Sequence, residues 1–115
     1  MNTECLFCKI AARKIPARIV SESDAWIAFH DAAPKAPVHC LIIPKRHMAG
    51  LSEAVPQERE LLGSMLMELA RLAGELKVDD AGYRIVTNRG RDGGQTVGHL
   101  HLHLLGGRPM HWPPG

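Results

Sequence analysis

The 115-residue chain has no long hydrophobic run, no large excess of charge of one sign and only three cysteines, an odd number. Because a membrane-spanning helix needs about 20 apolar residues, we expect no membrane partner. A net charge of +2 argues against a polybasic surface for nucleic acid. The first five residues carry no secretory pattern, and an odd cysteine count argues against a disulfide framework. We therefore predict a cytoplasmic protein.

The hydrophobic pattern predicts five strands and two helices. Alternation and turn residues favour strands at 17–21, 26–30, 38–44, 83–88 and 98–105. A short helix is predicted over 6–13 and a long one over 52–78. The apolar stripe of the long helix consists of Leu62, Met65, Leu66, Leu69, Leu72, Ala73 and Leu76. With no repeat and no linker, residues 1–115 are predicted to form a single α+β domain with a mainly antiparallel sheet.

Three of the seven histidines alternate with leucines in the stretch 98–105. A strand sends successive side chains to opposite faces, so His99, His101 and His103 would share one face and the leucines the other. The simplest alternative is a surface strand that happens to be histidine-rich. Clustered groups that titrate near neutrality favour catalysis or metal binding instead.

An imidazole is a good nucleophile towards phosphorus at neutral pH, because its neutral form is abundant. A second imidazole can donate to a phosphate oxygen, and His39 on the apolar strand is a fourth candidate for such a cluster. The preceding loop contains Gly93 and Gly94, whose backbone N–H groups can approach an anion closely. Gln95 and Thr96 add side-chain donors. These residues predict a phosphate site.

A metal site is the alternative. Cys5 and Cys8 have the two-residue spacing of a zinc half-site, which His47 and His99 could complete. Small cysteines are also frequently buried for packing alone, so both interpretations stay open.

The stretch 99–105 resembles the signature of the histidine-triad (HIT) superfamily, in which three histidines alternate with apolar residues. Further segments resemble its HINT branch, and the resemblance covers residues 5–115. These segments are Phe29-His30-Asp31, Ala36-Pro37-Val38-His39, Ile43-Pro44-Lys45, Asn88 with Gly90, Asp92-Gly93-Gly94-Gln95 and Met110-His111-Trp112-Pro113-Pro114-Gly115.

The resemblance implies a HIT fold with a five-stranded sheet, one long and one short helix, and a homodimer whose two sheets join. It implies hydrolysis of purine nucleoside 5′-monophosphoramidates to a nucleotide and an amine. His101 would be the nucleophile of a nucleotidyl-histidine intermediate, His103 would contact phosphate, and His39 and His99 would support them. No cofactor is required for catalysis, but Cys5 and Cys8 resemble the structural zinc pair of some members.

The resemblance also implies a nucleotide site. Asp31 would bind ribose, and Trp112 would lie near the partner's site. The other residues expected there are Ala32, Asn88, Gly94, Gln95, Thr96, Leu6, Phe7, Ile10, Ile15 and Leu41. Two alternative functions would use the same residues. One is hydrolysis of dinucleoside polyphosphates or nucleotidyl transfer, and the other is a non-catalytic nucleotide-binding scaffold dimer.

Overall fold

The computed structural model describes residues 4–115, and these form one antiparallel sheet with a helix on each face. The strands are β1 (Ile19–Glu22), β2 (Trp26–His30), β3 (Val38–Pro44), β4 (Tyr83–Val86) and β5 (Leu102–Gly106). The helices are α1 (Leu6–Ala11) and α2 (Arg59–Glu75). The predicted α+β class and five-stranded sheet are confirmed. Residues 1–3, part of the segment in which we expect no secretory signal, lie outside the described residues.

The strand order is β1-β2-β3-β5-β4, and every neighbouring pair is antiparallel. In the register of β3 and β5, Leu41 lies opposite His103 and His39 lies opposite Leu105. His39 and His103 are therefore diagonal neighbours on one face of the sheet, where their side chains can meet.

Helix α2 covers the other face of the sheet. Its residues Met65, Leu69 and Leu72 are fully buried against Ile42 and Leu104 from the two central strands. The predicted stripe therefore forms the main core, with one exception. Leu66 is 47% exposed and lies outside it, since the stripe that contacts the sheet is narrower than the sequence pattern indicates.

Helix α2 is shorter than the predicted 52–78. Two single 3₁₀ turns, Leu51–Glu53 and Pro56–Glu58, precede it. Proline has no N–H and disfavours helical geometry at the residue before it, so the regular helix begins only after Pro56. No helix in residues 4–115 combines the length and apolar character that a bilayer crossing requires.

Helix α1 covers the histidine face, but it has only six residues. Phe7 and Ile10 pack against Phe29, Leu41 and neighbouring apolar residues in a second cluster. Six residues cannot cover a five-stranded sheet, because a helix rises only about 1.5 Å per residue. The uncovered part of this face is where the cavity described below lies.

Candidate active site

The predicted histidine strand is correct only in its second half. β5 begins at Leu102, whereas His99 and Leu100 direct their N–H groups to the carbonyls of Val97 and Met48. His103 lies within the ladder, and His99 and His101 lie in the irregular approach to it. The three imidazoles are still close to one another, since the ring centroids of His101 and His103 are 4.9 Å apart.

His101 is buried, and its ring is held in one orientation. Its Nδ1 lies 2.7 Å from the carbonyl oxygen of His99. A carbonyl can only accept, so Nδ1 carries the proton and Nε2 keeps its lone pair. Thr87 donates to the carbonyl of His101 at 3.0 Å, and the ring of Phe7 meets the imidazole edge-on with centroids 5.0 Å apart. The lone pair of His101 is thus on Nε2, and hydrogen bonds hold both its ring and its backbone in place.

A chain of hydrogen bonds also fixes the protons of His39 and His103. The backbone N–H of Lys35 donates to Nδ1 of His39 at 3.0 Å, so the proton of His39 is on Nε2. That Nε2–H faces Nδ1 of His103 at 2.9 Å and a carboxylate oxygen of Asp31 at 3.3 Å. His103 accepts at Nδ1, and its remaining proton is therefore on Nε2. Next to the His101 lone pair, the site offers a neutral N–H donor.

Burial favours the neutral form of His39, His99 and His103. Desolvation lowers the pKa of His103 to about 4, and electrostatic repulsion from His101 and His39 acts in the same direction. The Asp31 carboxylate opposes the shift. Burial also lowers the pKa of His39 and of His99. The lowered pKa values of His39 and His103 agree with the neutral rings of that hydrogen-bond chain at neutral pH.

A cavity of about 650 Å³ lies beside His101 and His103. Of the predicted nucleotide residues, Leu6, Phe7, Ile10, Asp31, Ala32, Leu41 and Thr96 line it. Its wall is mainly apolar, and the polar residues that line it include Asp31, His101 and His103. The arrangement suits a ligand with a flat apolar part, a hydroxylated part and an anionic group.

Some of the predicted residues lie elsewhere. Ile15 lines a smaller neighbouring cavity that shares Ile10 with the first. Asn88, Gly94 and Gln95 are not in the cavity wall, and Trp112 is 83% exposed. Other wall residues were not predicted from the sequence, namely Pro16, Ala17, Arg18, Phe29, His30, Pro34 and Val97. The alternation of β2 could have indicated Phe29, since it shares a face with Ile27.

Gln95 holds the glycine-rich loop in shape. Its amide oxygen accepts from the N–H of Gly90 at 2.9 Å, and its amide nitrogen donates to the carbonyls of Ala49 and Val97. Gly93 packs so closely that an added Cβ would lie 2.5 Å from the carbonyl oxygen of Arg89. In this structure Gln95 therefore positions the loop, and its amide is occupied by the protein itself.

The predicted metal ligands also come together. Donor atoms of Cys5, Cys8, His47 and His99 all lie within 4.8 Å of one another, and His99 is fully buried. Nε2 of His99 donates to the carbonyl of Pro44 at 2.8 Å, which leaves the lone pair of Nδ1 facing the sulfur of Cys5 at 3.3 Å. Zinc-binding histidines commonly donate one ring N–H to a backbone carbonyl and bind the metal through the other ring nitrogen. Two thiols and two imidazoles fit tetrahedral zinc.

The fold thus places a cavity of about 650 Å³ beside the clustered histidines. The HIT domain model matches residues 12–110, and the chain belongs to the HIT family. It has the HIT fold, as the resemblance predicted.

The chain is 50% identical over 115 residues to an uncharacterized HIT-like protein of Synechocystis sp., and the match covers both chains completely. A HIT family hydrolase from Legionella pneumophila has a TM-score of 0.94 and 50% identity, with 96% of this chain and 99% of that one covered. A histidine triad nucleotide-binding protein from Candida albicans has a TM-score of 0.81 and 35% identity, with 95% and 82% covered. The chain is thus similar in sequence and structure to a HIT family hydrolase.

Proposed function

We propose that the protein is a HINT-type hydrolase of purine nucleoside 5′-monophosphoramidates, which releases the nucleotide and an amine. The observation that carries the proposal is the proton arrangement at the cavity. The lone pair on Nε2 of His101 and the N–H on Nε2 of His103 belong to rings whose centroids are 4.9 Å apart. That pair suits attack on phosphorus with simultaneous binding of a phosphoryl oxygen.

The cavity supports a nucleotide as the substrate. The apolar residues Phe7, Ile10 and Leu41 offer a site for a purine, and the carboxylate of Asp31 can accept hydrogen bonds from ribose hydroxyls. Asp31 is itself oriented, because one of its oxygens accepts the N–H of Ala33 at 2.8 Å. With base and ribose so placed, the 5′-phosphoryl group would lie towards His101 and His103.

The reaction would proceed in two displacements. Nε2 of His101 attacks phosphorus, the P–N bond breaks, and the amine leaves after its nitrogen takes a proton from solvent, which the water of the second displacement returns. The charge that develops on the His101 ring is stabilised by the His99 carbonyl that accepts from Nδ1. His103 donates from Nε2 to a phosphoryl oxygen, and the Thr96 hydroxyl, which lines the cavity, can hydrogen-bond the amine. Water then attacks the nucleotidyl-histidine and releases the nucleotide.

The direct test is AMP release from adenosine 5′-monophosphoramidate, with the covalent intermediate trapped by acid or base quench and located by mass spectrometry. We expect the nucleotidyl group on His101. A modification on another residue, or turnover with no trappable adduct and no dependence on His101, would contradict the mechanism.

The same cluster could act on a dinucleoside polyphosphate or transfer the nucleotidyl group to a phosphate acceptor. Kinetics on a phosphoramidate and on a dinucleoside polyphosphate, measured side by side, separate these reactions. We expect the larger kcat/KM for the phosphoramidate. Nucleotide binding without turnover of either substrate would favour a scaffold role.

The assembly proposed with this function is a homodimer. Met67 is 73% exposed on the side of α2 that faces away from the sheet, next to the exposed Leu66. Within residues 4–115, the strand β4 pairs only with β5, which leaves one edge for a partner sheet. A dimer would remove both features from water and bring the tail with Trp112 to a second protomer. Sedimentation of wild type and Met67→Glu tests it, with a monomer expected for the variant.

We also propose a structural zinc ion at Cys5, Cys8, His47 and His99. When bound, zinc would cross-link these four residues, whereas the proposed hydrolysis uses His101 as nucleophile and needs no metal. Reduced cysteines, as this site requires, are consistent with the cytoplasmic location that we propose. Metal analysis of the purified protein before and after exhaustive chelation tests the assignment, and about one zinc per chain is the expected content.

A further inference from the structure

One residue of the cysteine–histidine cluster (Cys5, Cys8, His47 and His99) also contacts the proposed nucleophile, His101. That residue is His99. The ring of His99 belongs to the cluster, with Nδ1 3.3 Å from the sulfur of Cys5 and 3.5 Å from that of Cys8. Its backbone carbonyl accepts from Nδ1 of His101 at 2.7 Å. The position of one residue therefore affects both the cluster and the proton arrangement of His101.

Helix α1 is a second connection between the two sites. Cys5 and Cys8 flank its first turn, and between them Phe7 packs edge-on against the rings of His101 and His99, at centroid distances of 5.0 and 6.0 Å. Leu6, Phe7 and Ile10 of the same helix line the cavity. The segment that provides two of the four cluster residues is thus also one wall of the nucleotide site.

This wall has little stability of its own. Isolated helices shorter than about 12 residues are marginal in water, and α1 has six. Its N-terminus is capped by a sulfur, with the N–H of Cys8 3.4 Å from Sγ of Cys5. The cluster would attach this helix to two other segments, since His47 follows β3 and His99 precedes β5. His47 itself lies 3.2 Å from the sulfur of Cys8.

We propose that metal binding at this cluster fastens α1 to the sheet and thereby sets the affinity of the cavity for nucleotide, with Phe7 and His99 as positioning residues. The inference rests on the nucleotide function proposed above. Apparent affinity falls in proportion to the fraction of molecules in the binding-competent form. Loss of the metal would lower that fraction by releasing one wall of the cavity.

The experiment compares the zinc-loaded protein with the same protein after chelation. Calorimetry gives the AMP dissociation constant, and hydrogen exchange reports on residues 6–11. Stripping should weaken AMP binding about tenfold, if about a tenth of the molecules keep α1 docked. Exchange in 6–11 should become faster, and one equivalent of zinc should restore both. In turnover of the phosphoramidate, KM should rise more than kcat falls.

Three variants separate the metal from other effects. Cys8→Ser should bind AMP weakly whether or not zinc is added. Cys5→Ser should do the same although serine keeps a helix cap, which distinguishes loss of metal from loss of capping. Cys40→Ala removes a buried thiol on the α2 side of the sheet and should keep the zinc dependence of AMP affinity.

Equal AMP affinity and equal exchange in the loaded and stripped forms would overturn the proposal, as would failure of the protein to retain zinc. The phosphoramidase proposal fails separately. If AMP affinity depends on zinc but no phosphoramidate is hydrolysed, the proposed reaction is contradicted, whereas the proposal that zinc fastens α1 and sets AMP affinity is supported. If AMP binds neither form, the proposed control of nucleotide affinity is overturned, and the exchange of 6–11 then shows only whether zinc fastens the helix.

Discussion

The two faces of the sheet are covered by helices of 17 and six residues, and this difference separates stability from chemistry. Under α2 the side chains are apolar and fully buried, including Met65, Leu69 and Leu72. Under α1 the same strands carry His39 and His103 beside a cavity. The long helix buries the centre of its face, whereas the short one leaves room for a ligand. A single strand, β5, serves both faces through alternate residues.

Changes on the α1 face should therefore impair activity with little loss of stability. In His101→Ala we expect phosphoramidate turnover to fall by about a thousandfold or more, because removal of a nucleophile leaves only the binding contributions. The melting temperature should stay close to that of wild type. Steady-state kinetics and thermal denaturation on one preparation check both expectations. Retained turnover in a folded variant would remove His101 from its proposed role.

Changes on the α2 face should have the opposite effect. Leu69→Ala is expected to lower the free energy of unfolding by about 2–5 kcal/mol, the usual cost of a large-to-small change in a packed core. At temperatures where the variant remains folded, kcat/KM should match wild type within a small factor. Denaturant unfolding measures the first quantity. A large loss of kcat/KM in the folded variant would show that the two faces are coupled.

Asp31→Asn sharpens the comparison within the α1 face. We expect kcat/KM for a ribonucleoside phosphoramidate to fall about tenfold, since a hydrogen bond to a charged acceptor is weakened. The 2′-deoxy substrate is the control, because it lacks one of the hydroxyls and should lose less. Equal losses on both substrates would indicate that Asp31 acts through His39, whose Nε2 is 3.3 Å away, and not through ribose.

The last prediction concerns the pH dependence of stability. His103 has its pKa lowered to about 4 in the folded protein, against 6.5 for an ordinary histidine. Between these values the unfolded chain binds more protons than the folded one, so stability falls as pH decreases from 6.5 to 4. His39, whose pKa is also lowered, adds to the same trend. Melting temperatures across this range should decline less steeply in His103→Gln, and an equal slope would contradict this account.

Much of the fold follows from short-range patterns. The apolar run that forms β3 and the helical spacing of Leu69 and Leu72 are local, and both were predicted. The predicted start of β5 was wrong because the backbone N–H groups of His99 and Leu100 donate to loop carbonyls and not to a neighbouring strand. Hydrophobic periodicity does not reveal such hydrogen bonds. The exposure of Leu66 was missed because the spacing gives a stripe but not its width.

The sequence indicated which histidines could cluster in the candidate site, but not which ring nitrogen of each histidine carries the proton. Alternation indicated that His101 and His103 could face one ligand. Their tautomers depend on the carbonyl of His99 and on the backbone N–H of Lys35, groups that every residue possesses. The amide of Gln95 was predicted to contact phosphate, whereas here it bonds to three backbone groups. Only the tertiary structure shows which backbone groups are near.

The place of β5 in the sheet has a consequence for motion. Because β3 and β4 flank it, both of its edges are hydrogen-bonded. A doubly paired strand opens mainly when the whole domain opens. We therefore expect the backbone of His103 to exchange its amide slowly, while His101 stands one residue before that ladder begins. The imidazole of His103 is thus anchored on a strand that is paired along both edges.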